Sequence, residues 1–87
     1  MKKRKGLSLH RHSESNLLMY QLYDTVVLSM NNVYFKLNTG GFKTNHTKNC
    51  MNDNLPEGYR VFQKDFEWYV ETPEKVLNFE DDMVLTL

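Results

Sequence analysis

Eighty-seven residues suffice for one domain and exclude a two-domain machine. Apolar residues at 40%, charged residues at 25% and eleven aromatic side chains exclude a wholly disordered chain; a domain this small buries only about 60–65% of its unfolded surface, too little for a deep cleft walled by its own core. The formal net charge of zero hides a gradient, because residues 1–48 carry eight Lys/Arg against two acids (+6) and residues 49–87 carry three against nine (−6). Either the halves neutralise each other, within the fold or across a homodimer, or they present a nucleic-acid-facing basic surface and an acidic one that imitates nucleic acid.

Alanine and isoleucine are absent, while valine, threonine, tyrosine, phenylalanine and tryptophan together number 24, which tilts the chain toward strands. A single cysteine, Cys50, excludes an internal disulfide. The basic start, Met1 to Gly6, lacks the apolar run of a signal peptide, and no stretch approaches the 18 or so apolar residues of a membrane span. The expected location is therefore the cytoplasm, where the Asn45-His46-Thr47 sequon has no use.

In chain order, residues 1–16 hold five Lys/Arg, two His and three Ser with only Leu7 and Leu9 to bury, and are expected to form a flexible basic arm ahead of a single domain over 17–87. Leu17 to Tyr23 fits a strand or a short helix. Val26, Leu28 and Met30 alternate with Thr25, Val27 and Ser29; after Asn31-Asn32, Val33, Phe35 and Leu37 alternate with Tyr34, Lys36 and Asn38. That is a hairpin with a type I′ Asn-Asn turn.

Gly40-Gly41 breaks the strand, and Thr44 or Asn45 caps a short, Asn-rich helix running to about Asn54, which must dock Cys50, Met51 and Leu55 on the sheet because it lacks strong helix formers. A second hairpin follows, Tyr59–Lys64 and Glu67–Glu71 about Asp65-Phe66, with Trp68 and Val70 on one side and Glu67, Tyr69 and Glu71 on the other. The tail, Val76 to Phe79 and Met83 to Leu87 about Glu80-Asp81-Asp82, fits one more hairpin along a sheet edge. The expected fold class is α+β: a small antiparallel sheet of two or more hairpins with one short helix packed on it, in the order β-β-α-β-β.

Neither a Walker loop nor G-x-G-x-x-G is present. Gly40-Gly41 ahead of a helix start, near Lys43 and Lys48, could meet an anion but is more often plain turn chemistry. His10 and His12 share a strand face and His46 and Cys50 a helix face, a donor set zinc accepts; solvated histidines and a buried thiol are the plainer reading, so no metal or other cofactor is expected. Cys50 beside Met51 reads as a small core residue, not a nucleophile, and no carboxylate pair has a hydrolase spacing. The chain is therefore not expected to be an enzyme.

Two binding surfaces remain. Glu67, Tyr69, Glu71, Glu80, Asp81 and Asp82 combine acids with an aromatic and would suit a basic protein site that otherwise holds nucleic acid. Alternatively, Lys2, Lys3, Arg4, Lys5, Arg11, Lys36, Lys43 and Lys48 would pair with phosphates while Tyr34 and Phe42 stack on bases.

Between Tyr23 and Val70 the residues Tyr23-Asp24-Thr25-Val26-Val27, Leu37-Asn38-Thr39-Gly40-Gly41-Phe42-Lys43-Thr44, Thr47-Lys48, Met51-Asn52, Val61-Phe62-Gln63-Lys64-Asp65 and Trp68-Tyr69-Val70 resemble a group of short bacteriophage-encoded proteins of no established activity. The resemblance implies a viral origin. Small phage accessory proteins tend to act by binding host machinery, including defence systems such as CRISPR effectors. The reading is thus an accessory protein that binds a host protein or ribonucleoprotein stoichiometrically, with direct nucleic-acid binding second and no membrane partner.

Overall fold

Alternation begins earlier than the composition of the first sixteen residues suggests. In the computed structural model, which describes residues 4–87, Leu7–His12 form strand β1, paired residue for residue with β2 (Leu17–Leu22) from Leu7↔Leu22 to His12↔Leu17. Six of the sixteen residues expected to form an arm therefore lie in the sheet, with Leu7 packed on the core.

β3 (Thr25–Met30) and β4 (Tyr34–Leu37) continue the sheet, but its pleat slips once. Tyr20 pairs with Leu28 and Gln21 with Val26, so Val27 is an extra, bulged residue. Val27 and Leu28 are both buried and Val26 is exposed, where simple alternation would have put Val26 inside. The turn after β3 is not type I′, since neither Asn31 nor Asn32 has positive φ. Asn31 Oδ1 instead accepts from the backbone N–H of Val33 (2.8 Å) and Tyr34 (3.0 Å), closing the turn with a side chain.

Helix α1 (Asn45–Asn52) is capped by Thr44, whose Oγ1 accepts from Thr47 N at 3.1 Å, and it buries Thr47, Cys50 and Met51. Asn52 anchors the other end. Its amide oxygen accepts from Val61 N and its Nδ2 donates to Val61 O, both at 2.8 Å, so the helix docks on β5 (Arg60–Lys64) much as a strand would.

β6 (Glu67–Glu71) and β7 (Val76–Asn78) complete a second antiparallel sheet, ordered β5-β6-β7, whereas β8 (Met83–Thr86) pairs with β4 to give β1-β2-β3-β4-β8. The tail is thus not a hairpin. Phe79 turns inward between β7 and β8, 6% exposed and edge-on to Trp68 with centroids 5.5 Å apart, and this carries the chain from one sheet to the other. The α+β class holds, in two sheets with four strands ahead of the helix in place of the single β-β-α-β-β sheet.

The sheets and helix close on one core. Leu28, Phe35 and Leu37 come from the first sheet, Val61 and Val70 from the second, Cys50 and Met51 from α1, and all are at most 1% exposed. The Cα radius of gyration is 12.3 Å, as a folded chain of this length should have.

Candidate functional site

The β5–β6 hairpin is built from its turn outward. Lys64 pairs with Glu67, so only Asp65 and Phe66 connect the strands, and both have positive φ, 53° and 68°. Two consecutive left-handed residues make a type I′ connection, whose twist matches paired strands and whose second position normally holds Gly. Phe66 stands there instead, a bulky residue in backbone that costs about 1 kcal/mol or more. Its own fold gives it almost no cover: Phe66 is 93% exposed.

Strand alternation sends Trp68 and Val70 inward and leaves Glu67, Tyr69 and Glu71 outward. On β5, Val61 is inside and Arg60, Phe62 and Lys64 are outside; pairing sets Phe62 beside Tyr69 and Arg60 beside Glu71. The Phe62 and Tyr69 rings stack with centroids 5.5 Å apart and planes 27° from parallel. Arg60 lies over Phe62, 4.9 Å from its centroid, and donates to Glu71 Oε1 at 2.9 Å. That ion pair is solvated and contributes about 0–1 kcal/mol. Its effect is to hold a guanidinium over Phe62 beside the aromatic pair, a set of residue types enriched at protein interfaces.

The acids expected to act with this face divide between two roles. Glu67, Tyr69 and Glu71 belong to it, whereas Glu80-Asp81-Asp82 form the turn into β8, and the last two of them hold the fold. The Asp81 carboxylate accepts from Thr39 N at 2.8 Å and from Thr39 Oγ1 at 2.9 Å, and Thr39 is 2% exposed. Asp82 accepts from Asn38 Nδ2 and lies 3.5 Å from Lys36 Nζ. Asp81→Ala should therefore destabilise by about 1–3 kcal/mol, because it strands two buried donors; urea unfolding measures this, and a change under about 0.5 kcal/mol would assign Asp81 to the free surface.

The basic residues considered for nucleic acid are dispersed. Lys2 and Lys3 lie outside the described residues. Arg4 pairs with Asp53 at 2.6 Å, the carbonyl of Lys5 accepts from His46 Nε2 at 2.7 Å, and Arg11 donates to Asn16 Oδ1 at 3.1 Å. Lys43 and Lys48 lie over Phe79 and Trp68, 5.9 and 5.8 Å from the centroids, rings that are themselves buried. Tyr34 and Lys36 share the outer side of β4, while Phe42, 70% exposed, sits beyond Gly40-Gly41.

His10 and His12 are on β1 and His46 and Cys50 on α1, and among the described residues no three His, Cys, Asp or Glu side chains gather in a metal-binding group. Burial pushes the Cys50 thiol above its ordinary value. A raised thiol keeps its proton in the folded state while the unfolded chain ionises, so the stability it contributes is present below the ordinary thiol range and declines as pH rises through it. Ellman's reagent should label Cys50 roughly a thousandfold more slowly in the native protein than in denaturant; equal rates would place the thiol at the surface.

Arg60, Phe62 and Phe66 were not singled out from the sequence. The signal was present, since a two-residue connection between alternating runs makes Phe66 a tip residue and puts Phe62 opposite the buried Val61.

No helix among the described residues is long and apolar enough to cross a membrane. No curated protein and no solved structure matches the chain. A family model does, over residues 3–86, and its phage origin agrees with the phage resemblance of the sequence. The chain belongs to the Kyanoviridae Gp96 protein family, a family of phage proteins.

Proposed function

We propose that the protein is a phage accessory protein that binds one host protein or ribonucleoprotein stoichiometrically, in the host cytoplasm and without turnover, through the tip and outer face of the β5–β6 hairpin. The observation that carries this reading is Phe66: a fully presented aromatic held in left-handed backbone that a glycine would occupy without strain. Beside it, Arg60, Phe62 and Tyr69 supply the rigid aromatic and guanidinium surface from which binding hot spots are built. Arg60 and Lys64 stand opposite Glu71 and Glu67, and Asp65 at the turn leaves the hairpin with one net negative charge, a small bias toward a basic target. Such a target includes the nucleic-acid groove of a defence effector, which is the anti-defence form of the proposal.

Tagged protein incubated with host lysate should retain one partner at a fixed stoichiometry, and Phe66→Gly or Tyr69→Ala should release it. Retention unchanged in both variants would remove the hairpin from the interface. The nucleic-acid reading is favoured by Phe42, exposed near Lys43, and by Tyr34 beside Lys36. It requires that purified protein shift an oligonucleotide at low salt and lose it steeply as salt rises; absence of a shift eliminates it.

A further inference from the structure

A cavity of about 400 Å³ lies where the β2–β3 turn meets the start of α1. Leu22 and Val27, both buried, supply apolar walls, and Tyr23 and Phe42, 58% and 70% exposed, stand at its mouth. The volume falls in the lower part of the range for small-ligand sites, about 300–1,000 Å³. Two close approaches shape the walls. A Cβ at Gly6 would run into the Tyr23 ring and one at Gly40 into Thr25, and both glycines have positive φ, so the ring lies directly on backbone and the Gly40 loop closes on the turn.

The polar groups select the ligand. The hydroxyls of Thr39, Thr44 and Thr47 are already engaged, with Asp81 or with one another, and His46 Nε2 meets the Lys5 carbonyl, which leaves the Thr25 hydroxyl and Asp24. The Asp24 carboxylate, which also lines the cavity, has no hydrogen bond or ion pair among the described residues. An ionised carboxylate only accepts, so a flat ligand that stacks on Tyr23 or Phe42 and meets Asp24 must offer N–H groups along one edge. Guanine does so with adjacent donors at N1 and N2, whereas adenine places a ring acceptor beside its amino group and uracil flanks its one N–H with carbonyls.

We propose that this cavity binds a single guanine base, stacked on the aromatic mouth and held at its N1/N2 edge by Asp24. The base comes either from a free nucleotide or from a single strand, and the site is separate from the hairpin face.

Titrating isotopically labelled full-length protein with the 5′-monophosphates of guanosine, adenosine and uridine, followed through amide shifts, tests the proposal. The guanosine nucleotide is expected to shift Tyr23, Thr25, Phe42 and Thr44 and to bind roughly tenfold more tightly than the other two. Asp24→Asn should erase that preference, and Phe42→Ala should weaken all three roughly tenfold. Both residues are exposed, and the same spectra report whether the fold is kept. A thymine oligonucleotide with one guanine separates the sources: tighter, salt-sensitive binding points to a strand, and affinity equal to the mononucleotide points to the free ligand. Equal affinity for the three nucleotides, preference undiminished in Asp24→Asn, or no cavity shifts at millimolar concentration overturns the proposal.

Discussion

Phe66→Gly should make the protein more stable and less able to hold the host partner proposed above. Glycine adopts the left-handed second position of a type I′ turn without the Cβ clash that Phe66 carries at φ 68°. Relief of about 1 kcal/mol corresponds to a rise in thermal midpoint of roughly 4–8 °C for a domain of this size. Because Phe66 is 93% exposed, its removal takes almost nothing from the core. Truncation of a central aromatic at an interface costs about 2 kcal/mol or more, roughly thirtyfold in Kd. Opposite signs are the point of the experiment, since a general folding lesion would lower both quantities. Calorimetry and a binding assay on the same preparation read them together; a raised midpoint with unaltered binding would reduce Phe66 to a turn residue.

Phe35→Ala should come close to unfolding the chain. Phe35 is fully buried, pairs across strands with Met30 and Leu85, and meets Tyr59 edge-on with centroids 5.2 Å apart. It therefore joins three strands of the larger sheet to the segment that enters the smaller one. Truncating a buried Phe costs about 3–5 kcal/mol, against a total of roughly 4–13 kcal/mol for a chain of this length. The thermal midpoint should fall by roughly 15–30 °C. Val84→Ala, on an exposed position of β8, should change stability by less than about 0.5 kcal/mol. A loss under about 1 kcal/mol at Phe35 would mean that the two sheets do not share one core.

The hairpin face was half visible in advance. Glu67, Tyr69 and Glu71 alternate with Trp68 and Val70, and period-2 patterning alone places them outward. Their partners Arg60 and Phe62 depend on register, which the two-residue turn sets and which brings Phe62 against Tyr69. The acidic trio shows the opposite case. Composition marks Glu80-Asp81-Asp82 as a charged turn, yet Asp81 serves Thr39, a residue 42 positions away, and no local pattern encodes that contact. The cavity, too, depends on segments brought together from the β2–β3 turn and the helix start.

Local chemistry was enough for the elements whose cause is local: the Thr44 cap, the Cys50 and Met51 face of α1, the strands around Asp65-Phe66, and the α+β class that follows from many β-branched and aromatic residues. It failed where a choice depended on distant partners. Leu7–His12 became a strand only because β2 was there to satisfy its backbone groups, Val27 turned inward only because the pleat slipped against Tyr20 and Gln21, and β7 and β8 parted because Trp68 offered Phe79 a place inside. Periodicity reports which side of a strand is apolar; which strand lies next to it is a matter of long-range burial and hydrogen bonding, and those are properties of the assembled core.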